Sequence, residues 1–262
     1  MKTLINISDI SSYIFCPRKL YLKKVHGLKE PLNEKMILGM IKHKILELFS
    51  KSEENLISSI NSIQTKSSLL TLYENSINNL CSQAIFLNRN LIRRFNISEK
   101  EILNSIASFL NREIQLRINS ILATQEKFLG KPLWENLSPK YLSELSIESE
   151  DLGLKGRIDR VKIDSEIIPY EIKTRAEVYE GDRIQLAGYA LLLESKFNQK
   201  IEKGVVETET SNQEVALTQE LKERVLEIAE EIRNFEKNEP EFPANFQKCQ
   251  KCVFNKECYG SE

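Results

Sequence analysis

Three consecutive stretches, residues 141–147, 154–163 and 167–174, alternate apolar and polar residues as β-strands do. They constrain the fold more than any other part of the chain. Residues 164–166, Asp-Ser-Glu, have turn chemistry. The second and third stretches are therefore predicted to pair as a hairpin.

The third of these strands carries an acid and a base on one face. Side chains alternate along a strand, so Glu171 and Lys173 point to the same side. Apolar residues of the opposite face, which we expect to be its buried side, are Ile168, Tyr170 and Ile172. The hairpin also brings Asp159, on the preceding strand, close to Glu171.

Composition and charge exclude some classes of protein. The chain has 262 residues and is 41% apolar, enough to bury a substantial core. No run approaches the roughly 18 apolar residues of a membrane span, and the N-terminus lacks a signal-peptide pattern. We therefore expect a cytoplasmic protein with no membrane partner. Lys plus Arg (37) nearly equals Asp plus Glu (38), so a nucleic-acid partner would need a local basic patch.

The pattern predicts one domain, residues 1–262, with four parts. They are N-terminal helices (1–50), a helical insertion (53–140), a strand-rich core (141–218) and a C-terminal helix with a cysteine segment (219–262). Ser98 and Glu101 form a capping-box pattern inside the insertion. Three arginines there could contact phosphates, although a solvated basic face is the commoner explanation; they are Arg89, Arg93 and Arg94.

Two helices that flank the strands carry polar residues of interest. In the helix predicted from residue 33 to 50, an apolar stripe is formed by Ile37, Ile41, Ile45 and Leu48. His43 lies off this stripe, which makes it a candidate metal ligand, although a lone histidine is usually an ordinary surface or core residue. After the strands, Gln185 and Tyr189 are four residues apart on a largely apolar helix and share one face.

Four of the five cysteines fall at the two ends of the chain. Cys249 and Cys252 are spaced so that both thiolates can reach one metal centre, and Cys258 adds a third ligand. Cys16, beside a proline near the start, is the obvious fourth donor. Cys81 is predicted to be a packed core residue.

Two carboxylates and a histidine can hold one or two hard divalent ions, and a nearby lysine can orient a water or stabilise charge on a phosphate. That set suits metal-assisted hydrolysis of a phosphodiester. A Glu-x-Lys pair alone is uninformative, because it occurs on many solvated strands. The order carries the signal: His43, Asp159, Glu171-x-Lys173, then Gln185-x-x-x-Tyr189.

This order resembles the PD-(D/E)XK nuclease superfamily, and within it the RecB-like branch, where Gln-x-x-x-Tyr follows the catalytic strand. Residues 16–21, Cys-Pro-Arg-Lys-Leu-Tyr, with three cysteines near the end, are similar to the iron-sulfur members. Those are the CRISPR-associated RecB-type exonucleases and, more distantly, AddB and helicase-nucleases. A chain without a Walker loop favours the CRISPR-associated family. The resemblance covers both ends and the core, and leaves roughly residues 53–140 unmatched.

The resemblance implies an α/β fold with a restriction-endonuclease-like core, ordered helix, three strands, helix, strand, and an iron-sulfur-stapled terminal subdomain. It implies that Mg or Mn is bound by His43, Asp159, Glu171 and the carbonyl of Ile172. Lys173 would activate water, and Gln185 and Tyr189 would contact DNA or steady the site. The implied ligands of a [4Fe-4S] cluster are Cys16, Cys249, Cys252 and Cys258. Ile158 stands where the family has a proline before the first aspartate.

The resemblance also implies an activity, namely exonucleolytic cleavage of single-stranded DNA or overhangs that trims prespacer DNA before CRISPR integration. The CRISPR integrase proteins are then possible partners, and oligomerisation is left open. One alternative is a non-cleaving DNA-binding or assembly subunit of the integrase. Others are a RecB-like repair nuclease outside CRISPR and an α/β domain stapled by zinc at the four cysteines.

Overall fold

The computed structural model describes residues 3–173, 175–208, 211–242, 246–250 and 252–259. Its elements, in chain order, are β1 (Ile5–Asn6), α1 (Ile7–Phe15), α2 (Pro17–Lys24), α3 (Glu34–Ser58), α4 (Lys66–Leu87), α5 (Arg89–Arg94), α6 (Glu99–Thr124), α7 (Lys131–Glu135), β2 (Lys140–Ser149), β3 (Leu154–Ile163), β4 (Ile167–Ile172), α8 (Glu180–Phe197), β5 (Lys203–Glu207), β6 (Asn212–Ala216), α9 (Gln219–Arg233), α10 (Phe246–Gln250) and α11 (Asn255–Tyr259).

The described strands form one sheet in the order β1-β3-β4-β5-β6, with β2 paired to β3 outside this path. β1 runs parallel to β3, β4 runs parallel to β5, and β5 runs antiparallel to β6. In this register Glu171 of β4 lies opposite Val206 of β5. The mixed α/β architecture, with helix, three strands, helix and strand in that order, confirms the predicted restriction-endonuclease-like core.

The chain packs as two compact units, to which β2 and β3 both contribute residues. The first unit comprises Met1–Pro31, Leu145–Arg160 and Ile167–Glu262, and the second comprises Leu32–Glu144 and Val161–Glu166. Residues 53–140, the predicted helical insertion, fall within the second unit.

Helix α8 forms much of the core of the first unit, where it packs against α1, α9, β4 and β5. Its described residues are largely buried, as the apolar run from residue 183 to 194 predicts. At Gly188 of α8, an added Cβ would lie 2.6 Å from Cδ1 of Ile7. Glycine therefore allows α8 and α1 to approach each other at this point.

Strand β4 differs from the prediction in which face is buried. Ile167, Pro169 and Glu171 are buried, whereas the apolar residues Ile168, Tyr170 and Ile172 are only half-buried. The reason is that β4 is an interior strand between β3 and β5, and α8 covers its Glu171 face. A strand covered on one face by a helix buries whatever that face carries, including an acid such as Glu171.

The second unit is a helical assembly of α3 to α7. Ile37, Ile41 and Ile45 are fully buried on α3, as the stripe predicts, whereas Leu48 is only half-buried. Helix α6 begins with the predicted capping box, in which Ser98 and Glu101 exchange hydrogen bonds.

The arginines of α5 are solvent-exposed; they are Arg89, Arg93 and Arg94. Across the described parts of the chain, every helix is either too short or too polar to span a membrane.

Candidate active site

Asp159 and Glu171 meet where β3 and β4 run side by side. Oδ2 of Asp159 accepts a hydrogen bond from the backbone N–H of Ile172, at 2.8 Å. Both acids are buried. Burial, and after it the negative charge of Asp159, raises the pKa of Glu171 to about 8. The two carboxylates therefore form a concentrated patch of buried oxygen ligands that favours a bound cation, either a proton or a metal.

Lys173 follows directly after β4 and lies against this acid pair. Its ammonium donates a hydrogen bond to Glu171 and lies 3.4 Å from Oδ1 of Asp182. Burial lowers the pKa of Lys173, but Glu171, Asp182 and Asp159 outweigh burial and leave it above its ordinary value. Lys173 is thus held as a cation in the metal-free protein, where it can orient a water or stabilise charge on a phosphate.

Helix α8 contacts Glu171 through two polar side chains, Gln185 and Tyr189. Nε2 of Gln185 donates to Oε2 of Glu171 at 2.9 Å and to the hydroxyl of Tyr189 at 2.7 Å. Burial, and then the carboxylate of Glu171, raises the pKa of Tyr189 well above its ordinary value, so its hydroxyl stays protonated. Both side chains are buried, so they are placed to fix the orientation of Glu171.

Asp182 and Arg175 also belong to this constellation, and the sequence pattern did not identify either one. Asp182 lies in the first turn of α8 with its side chain only 2% exposed. It accepts hydrogen bonds from the backbone N–H of Tyr179 at 2.8 Å and from Nη2 of Arg175 at 2.6 Å. An acid at the third position of a helix is a capping signal, but nothing in the sequence indicates that it also contacts Lys173.

In the second unit, His43 is paired with an acid of β2. Nδ1 of His43 lies 2.8 Å from Oε1 of Glu144, whose side chain is 1% exposed. The backbone of Glu144 is left-handed, with a φ of 54°, which is uncommon for a residue other than glycine. A carboxylate in this position fixes the orientation of a histidine ring.

The four terminal cysteines line one cavity of about 290 Å³ in the first unit. They are free thiols supplied by the α1–α2 junction, α10, the turn after it and α11; they are Cys16, Cys249, Cys252 and Cys258. The hydroxyl of Tyr259 donates a hydrogen bond to Sγ of Cys249 at 3.3 Å. Cys81 lies apart from them, buried on α4, and burial raises its pKa to about 11. It is a core residue, as predicted.

A family model of the PD-(D/E)XK nuclease superfamily matches residues 5–259. The chain belongs to the PD-(D/E)XK nuclease superfamily. This match confirms the superfamily that the order of the motifs predicted. Asp159 and the Glu171-x-Lys173 pair are the residues that the order of the motifs predicts for the site of this PD-(D/E)XK protein.

Among curated proteins, the PD-(D/E)XK chain is similar to a CRISPR-associated exonuclease Cas4/endonuclease Cas1 fusion from Leptospira interrogans serogroup Icterohaemorrhagiae serovar Lai (strain 56601). The two are 29% identical over 160 residues, which is 54% of this chain and 30% of the relative. The chain thus spans less than a third of the length of that curated relative.

Two solved structures are also similar to this PD-(D/E)XK protein. A proposed exonuclease from Eubacterium rectale is 13% identical, with a TM-score of 0.43, over 97% of this chain and 87% of its own. The protein SSO0001 is 20% identical, with a TM-score of 0.29, over 58% of this chain and 77% of its own.

Within the first unit, the structure brings together Asp159, Glu171, Lys173, Gln185 and Tyr189. It also gathers the four predicted cysteines around one cavity. His43 belongs to the second unit, where its partner is Glu144.

Proposed function

We propose that this protein is a divalent-metal-dependent deoxyribonuclease that shortens DNA from single-stranded ends or overhangs. The observation that carries the proposal is that two buried acids, Asp159 and Glu171, lie beside Lys173 in a PD-(D/E)XK chain. Two acids and a lysine supply what hydrolysis of a phosphodiester needs, namely ligands for a metal and a cation beside the reacting phosphate.

The proposed metal is Mg or Mn. Its proposed ligands are Asp159, Glu171, the carbonyl of Ile172 and, from the order of the motifs, His43. The carboxylate and carbonyl oxygens suit a hard cation. The raised pKa of Glu171 supports the assignment, because a buried acid pair gains most from a cation. A metal bound there would polarise the phosphate and lower the pKa of a water.

We assign Lys173, Gln185 and Tyr189 roles other than metal binding. Lys173 holds a proton at Nζ and would orient the attacking water or stabilise the negative charge that builds up on the phosphate. Gln185 and Tyr189 hold Glu171 in place by hydrogen bonds, which limits their role to positioning. This favours steadying the site over direct contact with DNA.

A [4Fe-4S] cluster is the proposed occupant of the cysteine cavity. Four thiols around one cavity are the donor set that such a cluster requires. The cavity, with a volume of about 290 Å³, accommodates more than a single ion. When bound, the cluster would tie α1 and α2 to α10 and α11. We assign it a structural role, since linking the two ends of the chain is a sufficient reason for its presence.

The activity is tested with protein purified without oxygen and DNA labelled at the 5′ or 3′ end. Single-stranded, overhanging and blunt duplex DNA are each incubated with Mn, with Mg and with a chelator. We expect stepwise shortening of single strands and overhangs that requires metal and is abolished in Asp159→Asn. Cleavage that persists in the chelator or in Asp159→Asn would refute the site.

The proposed biological role is trimming of prespacer DNA for CRISPR integration. The support is the curated relative, in which an exonuclease is fused to an endonuclease named Cas1. We therefore propose that this chain works with the CRISPR integrase proteins. Trimming of a prespacer to its integration length should become more accurate when the integrase is added. Identical product lengths with and without the integrase would contradict the role.

A further inference from the structure

The segment between Lys173 and α8 carries an exposed tyrosine whose ring lies on an arginine. Cζ of Arg175 is 4.4 Å from the centroid of the Tyr179 ring. Tyr179 is 55% exposed, although it lies directly before α8, which is one of the most buried helices of the first unit. The chemistry proposed above gives the ring of Tyr179 no role.

A buried acid holds the pair in place. Nη2 of Arg175 lies 2.7 and 2.6 Å from the two carboxylate oxygens of Asp182, and its Nη1 donates to the carbonyl of Glu177 at 2.7 Å. The same carboxylate accepts the backbone N–H of Tyr179. The guanidinium of Arg175 and the backbone of Tyr179 are therefore both held by the buried carboxylate of Asp182.

The same acid connects the pair to the proposed catalytic lysine. Oδ1 of Asp182 lies 3.4 Å from the ammonium of Lys173 on one side, and Asp182 binds Arg175 on the other. The ring of Tyr179 lies on Arg175, and Asp182 contacts both Arg175 and Lys173, the residue that would face the reacting phosphate.

An ordered aromatic ring with a cation beneath it is a good stacking surface for a nucleobase. The ring is held before the ligand arrives, so little conformational entropy is lost on binding. Stacking on a protein side chain needs an unpaired base whose face is free, and single strands and overhangs offer such bases. A paired base inside a duplex does not.

We propose that Tyr179, supported by Arg175 and Asp182, is a stacking site for one unpaired base of the DNA substrate. The inference rests on the proposed function, because the ligand is the strand that the nuclease cleaves. It adds a reason for the preference for single strands. Tyr179 binds substrate, and Asp182 is a positioning residue.

The test compares Tyr179→Ala, Tyr179→Phe and wild type on single-stranded DNA. We expect Tyr179→Ala to raise KM by about 5- to 100-fold with kcat nearly unchanged, and Tyr179→Phe to behave like wild type. Anisotropy of labelled DNA in the absence of divalent metal should show the same loss of binding. Melting curves check that each variant is folded.

Binding of strands that carry one abasic nucleotide, at a different position in each strand, identifies the base that stacks on Tyr179. Wild type should lose affinity at one position, and Tyr179→Ala should be insensitive at that position. Phe86→Ala is the matched control, because Phe86 is also exposed and lies 4.3 Å from the guanidinium of Arg89, in the second unit. It should bind DNA like wild type.

Two results would overturn the stacking site. One is a Tyr179→Ala protein with wild-type KM and binding, and the other is an equal loss in Phe86→Ala. Failure of the proposed function looks different, because wild type then leaves every DNA substrate uncut in Mn and Mg. Binding that depends on Tyr179 without any cleavage would support the stacking site and refute the nuclease.

Discussion

His43 depends on Glu144 for the orientation of its ring. The carboxylate of Glu144 is buried, 2.8 Å from Nδ1 of His43, and its backbone is held in a left-handed conformation. Because a carboxylate accepts hydrogen bonds, it selects the form of the ring that carries a proton on Nδ1. In the proposed metal site, His43 would then bind the metal through Nε2.

Replacement of Glu144 by alanine should remove this selection. We expect the neutral ring of His43 to shift toward the form protonated on Nε2, and metal affinity to fall by about 10- to 100-fold. Nitrogen-15 NMR of the imidazole measures the tautomer directly. His26, the other histidine of the chain, serves as an internal reference. An unchanged His43 spectrum in Glu144→Ala would contradict the assignment.

For single residues, motif order predicts those that belong to a recognisable motif. It does not predict residues that contact the site only through another side chain. His43, Asp159 and Glu171 follow from motif order. Glu144 and Asp182 do not, because an acid on an alternating strand or in the first turn of a helix is usually solvated. Only the fold shows that both are buried and that they contact the predicted site residues His43 and Lys173.

Among the elements, α8 depends on a glycine for its contact with α1. We expect Gly188→Ala to destabilise the protein by about 1–3 kcal/mol, because its Cβ would overlap the fully buried side chain of Ile7. Gly39→Ala is the matched control in helix α3, where an added Cβ meets no atom within 4 Å. It should stabilise by about 0.5–1 kcal/mol. Urea unfolding measures both, and a more stable Gly188→Ala would refute the close packing.

The helices of the second unit enclose a buried ion network around Arg117. Its Nε lies 2.8 Å from Glu53, and its Nη1 lies 2.5 Å from Glu113. Nη2 donates to Oγ of Ser143 at 2.8 Å, which ties α6 to β2. Burial, opposed by Arg117 and reinforced by the charge of Glu113, raises the pKa of Glu53 to about 7.

That shift makes stability depend on pH. A carboxyl whose folded pKa is raised contributes stability that is fully present below its unfolded pKa of 4.5 and is lost as pH rises through about 7. Between these values the free energy of unfolding should fall by about 3 kcal/mol. Glu53→Gln should flatten this part of the profile, and the exposed Glu54→Gln should not. Equal slopes in wild type and Glu53→Gln would disprove the shift.

Helix and strand positions were largely predictable, because apolar spacing and caps report local structure. The strand Leu154–Ile163 and the Ser98 capping box are examples. Burial of charge was not predictable. Glu113 and Arg117 have the spacing of an ordinary surface pair, and Glu171 looked like the solvated face of its strand. Packing of other elements over these residues decides their burial.

For the whole molecule, the cysteine cavity joins segments from both ends of the chain. We expect protein purified without oxygen to contain about four iron and four sulfide per chain. Cys16→Ser should lose iron and melt at a lower temperature, whereas Cys81→Ser, which changes a core thiol outside the cavity, should keep its iron. Stoichiometric zinc without iron in wild type would refute the cluster and leave a four-cysteine zinc site.

The family was predictable from four motifs, one cysteine near the start and three near the end, because their order along the chain is specific even where each motif alone is common. The division into two compact units was not, since both units contain residues from β2 and β3. A pattern read along the chain cannot assign the two ends of one strand to different cores.

We propose that cleavage of DNA depends on the acid pair and on Lys173. The most direct measurement is single-turnover cleavage of end-labelled single-stranded DNA in Mn by Lys173→Ala beside Lys200→Ala. Lys200 is 77% exposed and pairs with the exposed Glu202, so its loss should leave the rate unchanged. Lys173→Ala should be slower by roughly two to four orders of magnitude with its fold and cysteine cavity intact. Equal rates for the two variants would contradict the account.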